Sequence, residues 1–217
     1  MKRWKGMTGV AGALVLLLFG SGCSTEVTGE ALPSVCAEHR VSACLDYEPN
    51  PPGDKYVMQV WMEDRRTAGN MLCSAFSEKE LSRIMGEGNE YYRYISNDGS
   101  RACNIVTQQS GPQNDQKFSV TLSMWAQPMR GYGRVDGNER TDVSGHPAWV
   151  RDFDRGTSRS VRYTIATGTS PDTGGVLFVR LETANPRGVQ TDSQPDYTHM
   201  ENMHSSIAET CVSAILE

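Results

Sequence analysis

The sequence lacks the short motifs that mark the common redox, zinc and hydrolase sites. It has no Cys-x-x-Cys pair, which argues against a zinc knuckle or a thioredoxin-like centre. It has neither His-Glu-x-x-His nor Gly-x-Ser-x-Gly, so neither a metalloprotease helix nor a serine-hydrolase elbow is indicated. We therefore predict no catalytic residues, no cofactor and no metal site, and an activity other than catalysis is favoured.

Basic residues are also fewer than acidic ones. The 217 residues include 21 Lys and Arg against 26 Asp and Glu, a net charge of −5. A chain with this balance gains little from the release of counterions at nucleic-acid phosphates. Nucleic acid is therefore not expected as a partner.

Long apolar runs are limited to one, at the N-terminus. Lys2, Arg3 and Lys5 precede an uncharged stretch at 7–19. About 20 apolar residues are needed to span the hydrocarbon of a bilayer, so this stretch is too short for a transmembrane helix. Its size and flanks are those of a secretory signal peptide, and no second long run follows it.

The apolar run ends in small residues and a cysteine. Gly20, Ser21 and Gly22 stand directly before Cys23 in "LLLFGSGCST". The arrangement resembles the lipobox of bacterial lipoproteins, whose cysteine thiol takes a diacylglycerol and becomes the first mature residue. We therefore expect a lipid anchor at Cys23 and a location at the cell membrane, on its extracytoplasmic face. The alternative is an ordinary signal peptide cleaved near Cys23.

Five further cysteines follow, and in an exported chain the default expectation for them is structural disulfides. Because five is odd, at most two bridges form and one thiol remains. Spacing does not fix the pairing. Cys36 with Cys44 would close a short local loop, whereas Cys73 with Cys103 or Cys211 would staple the domain. We expect at least one bridge, worth about 3 kcal/mol if its geometry is unstrained.

The clearest local pattern in the sequence is "FSEKELSRIMG". Ser77 and Glu80 have the spacing of a capping box, and Phe76 and Leu81 occupy the two positions of a hydrophobic staple. Gly86 is a natural residue to follow the last turn of a helix. The pattern predicts a short helix that begins at Ser77.

Strand-like segments follow this helix. "KFSVTLSMW" alternates strictly between apolar and polar residues, as a strand with one wet face does, and "VLFVRL" is apolar on both faces, as expected of a central strand. Asn97 to Gly99 and Pro171 to Gly175 have the composition of turns. The predicted strands are 56–62, 90–96, 102–107, 117–125, 146–153, 160–167 and 176–181.

Apolar residues near the C-terminus recur at intervals of three or four, which predicts an amphipathic helix. The element order is helix, antiparallel strands, helix. It indicates an α+β fold, with an antiparallel sheet and with the short capped N-terminal helix and the C-terminal amphipathic helix packed on one face. The expected organisation is a lipoprotein signal peptide at 1–22, a lipid-anchored cysteine and tether, partly ordered loop, at 23–69, and a single α+β globular domain at 70–217.

These features together resemble the actinobacterial lipoproteins that carry the domain of unknown function 3558. Those chains begin with a lipobox and a low-complexity spacer. A cysteine then leads into a short capped helix, as in "LCSAFSEKELSRIMG", and a second cysteine opens a strand, as in "RACNIVT". A glycine and small-residue segment precedes another strand, as in "VSGHPAWV", and a helix completes the domain. The resemblance implies this fold and a place in the cell envelope, and it implies no particular activity.

Other polar residues give weak signals for chemistry. His199 and His204 are five apart, so they do not share a helix face well, and we expect them to be satisfied or exposed. Asp152, Asp154 and Arg155 form a charged run, which is usual on a solvated face. The glycines of "GYGRVDG" predict a loop.

Two classes of function remain. The favoured one is a non-catalytic envelope module that binds a protein or an apolar small-molecule ligand. The alternative is an envelope enzyme whose dispersed active site the order of the sequence hides. Amphipathic aromatic side chains are candidate binding residues. They are Tyr91, Tyr92, Tyr94, Trp125, Tyr132 and Trp149.

Overall fold

The computed structural model of the chain describes residues 57–107, 117–133, 135–185 and 194–217, and all of these belong to one folded unit. Several sequence-based predictions lie outside these residues. They are the signal peptide at 1–22, the lipidation candidate Cys23, the tether from there to residue 56, and the disulfide candidates Cys36 and Cys44.

The strands of the described part form one seven-stranded antiparallel sheet in the order β1-β2-β3-β7-β6-β5-β4. The doubly apolar strand β7 lies at its centre, as predicted, with β3 and β6 paired to its two edges. Predicted strand ends differ from the observed ones by at most three residues. The strands are β1 Tyr91–Ile95, β2 Cys103–Thr107, β3 Lys117–Trp125, β4 Glu139–Val143, β5 His146–Asp154, β6 Ser158–Ala166 and β7 Val176–Ala184.

The strand β4 was not predicted from the sequence. It is a polar edge strand in which only Val143 is buried, so its hydrophobic pattern is weak. A two-residue turn joins it to β5, and both turn residues, Ser144 and Gly145, have positive φ angles of 51° and 83°. That conformation is the one that two-residue hairpin loops favour. The segment "VSGH" is therefore the turn of a hairpin in which β4 pairs with β5.

The capped helix is present where the sequence predicted it. The backbone N–H of Glu80 donates to Ser77 Oγ at 3.3 Å, and the backbone N–H of Ser77 donates to a Glu80 carboxylate oxygen at 2.7 Å. Phe76 and Leu81 are fully buried. The helices of the described part are α1 Val57–Glu63, α2 Arg65–Ser74, α3 Glu78–Met85 and α4 Thr198–Leu216.

The predicted strand at 56–62 is wrong, because this segment forms α1. Its buried residues include Val57, Val60 and Trp61, and a spacing of three and four places them on one face of a helix. Local β propensity is overridden here by packing against the core. The predicted domain boundary at residue 70 falls inside α2, so the folded unit includes the residues from Val57 onward.

The helix α2 begins at a cap that the sequence analysis did not identify. Asp64 Oδ1 accepts from the backbone N–H groups of Arg66 and Thr67 at 2.9 and 3.3 Å, and hydrogen bonds from Thr67 lower the pKa of the Asp64 carboxyl. Inside the helix, Gly69 lies so close to the β1–β2 turn that a Cβ atom would stand 2.6 Å from the carbonyl oxygen of Arg101. The glycine thus permits this close approach of helix and turn.

A disulfide joins α2 to the sheet. Cys73 at the end of the helix bonds to Cys103 on β2, with a Cα–Cα distance of 5.2 Å. This confirms the expectation of at least one bridge and selects between the two partners that spacing left open for Cys73. Cys211 is a free, buried thiol on α4, and burial raises its pKa, which makes it unreactive.

One continuous core lies between the helices and the sheet. All four helices contribute buried side chains to it, among them Leu72, Ile84 and Ile207, and the sheet contributes alternate residues of its strands. Helices and sheet thus meet through a single face of the sheet. The predicted α+β fold, with helices packed on one face of an antiparallel sheet, is confirmed.

Candidate functional site

The sheet has two faces with different surroundings. Residues directly opposite each other in antiparallel strands lie on the same face, so the register separates the two faces completely. Leu122, Val179 and Tyr163 are mutually in register and belong to the helix-side core. Their neighbours in sequence project from the other side. We call that other side, which bears Thr121 and Arg180, the open face.

One end of the open face is covered by the chain that follows β3. A 3-10 turn at Met129–Gly131 buries Met129 against Ala166 and Val176. The ring of Tyr132 meets that of Phe178 edge to face at 5.2 Å. We call this cluster the covered end. It leaves the middle of the open face without any helix over it in the described part of the chain.

Three arginines cross the middle of the open face. Arg151 on β5 stands directly opposite Arg162 on β6, and Arg162 stands directly opposite Arg180 on β7. Neighbouring strands are about 4.8 Å apart, so the three side chains leave the backbone along a line of about 10 Å. We call these three residues the arginine row. Arg180 is exposed, whereas Arg151 and Arg162 are half-buried.

The charge of the arginine row is only partly compensated. Arg180 forms an ion pair with Glu182 on its own strand, at 2.8 Å. Over the residues that the structure describes, no carboxylate lies within 4.0 Å of Arg151 or Arg162. Partial burial lowers the pKa of Arg162, and the positive charges of Arg151 and Arg180 lower it further. The three cations therefore repel one another without a full set of counterions.

Two phenylalanines on the same face support the arginines. The guanidinium carbon of Arg151 lies 4.3 Å from the ring centroid of Phe153, and that of Arg162 lies 5.4 Å from the same centroid. Arg162 is also 6.0 Å from the centroid of Phe178. Cation–π contacts of this kind hold a guanidinium group in place while leaving the N–H donors, which lie in its plane, available. The arrangement can therefore bind an anion.

The helix side of the sheet contains a contrasting group of charges. Arg159 forms ion pairs with Asp152 and with Glu201 of α4, and these hydrogen bonds raise its pKa. Asp154 Oδ1 instead accepts a hydrogen bond from the backbone N–H of Gly156, in the β5–β6 turn, at 2.8 Å. Arg155 is an exposed residue of the same turn. The predicted charged run is thus divided between a surface ion-pair cluster and a turn.

The two histidines noted in the sequence have hydrogen-bond partners within the fold. His199 Nε2 lies 2.9 Å from the carbonyl oxygen of Ile84, and His204 Nδ1 lies 2.6 Å from the hydroxyl of Tyr163. Burial lowers the pKa of His204 and raises that of Tyr163. Tyr163 is only 4% exposed, and its hydroxyl is used in this contact with the half-buried His204. The described residues contain no group of His, Cys, Asp or Glu that could hold a metal ion.

The six candidate aromatic residues do not form one surface. Trp125, Tyr132 and Trp149 pack at the covered end, where a Cβ on Gly133 would come within 2.6 Å of the Trp149 ring. Tyr91 packs against the helix-side core. The other two lie on β1 at the edge of the sheet, Tyr94 buried and Tyr92 half-buried.

The arginine row and its two phenylalanines were missed by sequence reasoning. The available signal was a repeated Val-Arg pair inside three strand-like segments, "WVRDF", "SVRYT" and "FVRLE". In each pair the valine is apolar and the arginine takes the opposite face. Only the register shows that the three arginines are adjacent.

Comparisons with known proteins add little to this description. No protein-family model and no curated protein matches the chain. A solved crystal structure of a protein from Bacteroides thetaiotaomicron is similar with a TM-score of 0.30 and 12% identity, over 53% of this chain and 43% of that chain. The similarity thus spans less than half of that protein's length, and it carries no argument about function. None of the described helices combines the length and the apolar character that crossing a bilayer requires.

Proposed function

We propose that this protein is a lipid-anchored cell-envelope protein that acts by binding an anionic ligand on its open face. The N-terminal pattern supports the anchor: a basic start, a short apolar run and three small residues precede Cys23. The order of capped helix, strands and final helix supports kinship with the actinobacterial lipoproteins of the 3558 type. The binding role is supported by the geometry of the sheet.

The observation that carries the binding role is the arginine row. Like charges directly opposite each other destabilise an antiparallel pair, and here two such pairs, Arg151–Arg162 and Arg162–Arg180, lie side by side. The chain as a whole is acidic, so the concentration of cations is local. An anion that neutralises the row would relieve this repulsion. Binding would therefore lower the electrostatic free energy of the folded protein.

The test of the binding face is a comparison of arginine accessibility in cells and in solution. Phenylglyoxal reacts with accessible guanidinium groups, and peptide mass spectrometry reads the extent. Arg180 is the exposed member of the row, and Arg66, an exposed residue of α2, is the reference. We expect Arg180 to react more slowly relative to Arg66 in the anchored protein of intact cells than in the purified protein. An unchanged ratio would contradict occupancy of the open face.

The anchor has a separate test. Replacing Cys23 with alanine should move the protein from the membrane fraction to the soluble or secreted one, because the lipid is its only proposed attachment. Ser24→Ala is the matched control and should stay in the membrane fraction. An intact mass of the mature wild-type chain without acyl groups would refute the anchor.

A further inference from the structure

The net charge of the arginine row indicates which class of ligand it can bind. This inference rests on the proposed role of the open face as a binding surface and specifies what is bound there. Three arginines and the paired Glu182 leave a surplus of two positive charges across three neighbouring strands. A ligand that matches this surplus carries about two negative charges on a small group.

Two members of the row lie beside the same aromatic ring. The guanidinium carbons of Arg151 and Arg162 are 4.3 and 5.4 Å from the ring centroid of Phe153, and the two residues are directly opposite each other on neighbouring strands, so a ligand group can be placed between them. Among the described residues, neither side chain has a hydrogen-bond acceptor. Each therefore offers its planar fork of N–H donors to a ligand.

Two neighbouring guanidinium forks favour a phosphate over a carboxylate. A carboxylate has two oxygens, and a single arginine can satisfy both in a bidentate pair. A terminal phosphate has three peripheral oxygens and a charge close to −2 above its second pKa of about 6. It can thus accept from two arginines at once and leave an oxygen facing a third.

We propose that the arginine row binds the terminal phosphate group of a soluble ligand, held between Arg151 and Arg162 with Arg180 at its edge. Phe153 and Phe178 contact the guanidinium groups, and, being half-buried, offer an apolar surface to the part of the ligand next to the phosphate. The partial burial of Arg162 strengthens its attraction to the anion, because the effective dielectric at such a position is lower than in water.

Two phosphate sources are distinguished by their charge. A terminal phosphate monoester carries about two charges, whereas the phosphodiester of an anionic lipid headgroup carries one and has two free oxygens. The probes are therefore glycerol 3-phosphate and glycerophosphoglycerol, titrated at pH 7.5 into the full chain in an uncharged detergent and followed by calorimetry. We expect the monoester to bind roughly tenfold more tightly, or better. Equal or tighter binding of the diester would overturn the proposal in favour of a lipid headgroup.

Substitutions locate the site. Arg162→Met should weaken glycerol 3-phosphate binding by roughly tenfold or more, because it removes a charged fork at the centre of the row. Arg162→Lys keeps the charge but loses the bidentate geometry, so it should also bind more weakly. Arg66→Met, with the same loss of one charge on the helix side, should bind as the wild type does. Equal losses in Arg66→Met and Arg162→Met, or no binding by the wild type, would overturn the inference.

Failure of this inference would be distinguishable from failure of the proposed function. If Arg180 is protected in cells but glycerol 3-phosphate does not bind, the open face is a binding surface for another ligand and the phosphate assignment is wrong. If glycerol 3-phosphate binds but Arg180 is not protected in cells, the site exists and is empty in the envelope. Circular dichroism of each variant confirms that lost binding is not lost folding.

Discussion

The arginine side chains on the two faces of the sheet have different contacts. On the helix side, Arg159 forms ion pairs with Asp152 and Glu201, so carboxylates of the same chain compensate its charge. On the open face, Arg162 stands between two other arginines and contacts aromatic rings rather than carboxylates. The comparison shows that the helix side pairs its arginine with carboxylates of the fold, whereas the open face leaves Arg162 without such a partner among the described residues; the proposed binding role of the open face rests on this difference.

The same contrast separates neighbouring residues of single strands. Leu122 and Val179 are fully buried against the helices, whereas the adjacent Thr121 and Arg180 lie on the open face. Adjacent residues of a strand point in opposite directions, so a change of one position in the sequence moves a substitution from the core to the candidate binding surface. This makes matched pairs of variants available on the same strand.

The largest effect is expected from the disulfide, which belongs to the helix side. Replacing both Cys73 and Cys103 with serine opens a bridge with a sequence separation of 30, and the free energy of unfolding should fall by about 4 kcal/mol, since a loop of that length is no longer closed in the unfolded chain. Urea unfolding measures the difference. Cys211→Ala, which removes a buried thiol without removing a bridge, is the control. A smaller loss in the double variant than in this control would contradict the expectation.

A matched pair on β3 tests the comparison directly. Leu122→Ala should cost about 2–5 kcal/mol of unfolding free energy, because it leaves a cavity in a fully packed core. Thr121→Ala, one residue earlier on the open face, should cost less than about 1 kcal/mol. Both values come from the same urea titration at equal ionic strength. If the two losses were equal, the assignment of the open face as a surface with little share in stability would be wrong.

A substitution in the arginine row should change the unfolding free energy in the opposite direction to a substitution in the core. In the absence of ligand, Arg162→Met should raise the unfolding free energy by up to about 1 kcal/mol, because it removes two unfavourable cross-strand pairs and keeps an apolar stem on the rings. The gain should shrink in 0.5 M salt, which screens the repulsion. Arg66→Met serves as the control and should change little. If Arg162→Met were less stable than the wild type at low salt, the arginine row would stabilise the fold, contrary to this prediction.

The smallest effect is a pH dependence confined to the helix side. Burial lowers the pKa of His204 from its ordinary value of 6.5; Arg159 lowers it further, while Asp152 and Glu201 oppose the shift. As the pH falls below about 6.5, the unfolded chain takes up a proton before the folded one does, so the folded state loses stability. Unfolding measured at pH 7.5 and 5.5 should show a smaller loss in His204→Gln than in the wild type. Identical losses would remove His204 as a cause.

Sequence reasoning succeeded where the deciding interactions are local. Ser77 and Glu80 are three residues apart, and their capping box needs no tertiary contact to be recognised. It failed at α1, where Val57, Val60 and Trp61 were compatible with a strand and their helical spacing was decided by burial in the core. It also failed at β4, whose single buried residue, Val143, gives too weak a pattern.

The sequence by itself determined the capped helix, the final helix and six of the seven strands of the described residues, because propensity and periodicity act over short distances. The number of cysteines indicated at least one disulfide. Only the tertiary structure decided which cysteine pairs with Cys73 and which residues form the arginine row. Arg151, Arg162 and Arg180 are separated by 11 and 18 residues of chain, and it is strand register that sets them side by side. A register shift of one residue would turn a strand's arginine to the other face, so the site exists only through the pairing of the strands.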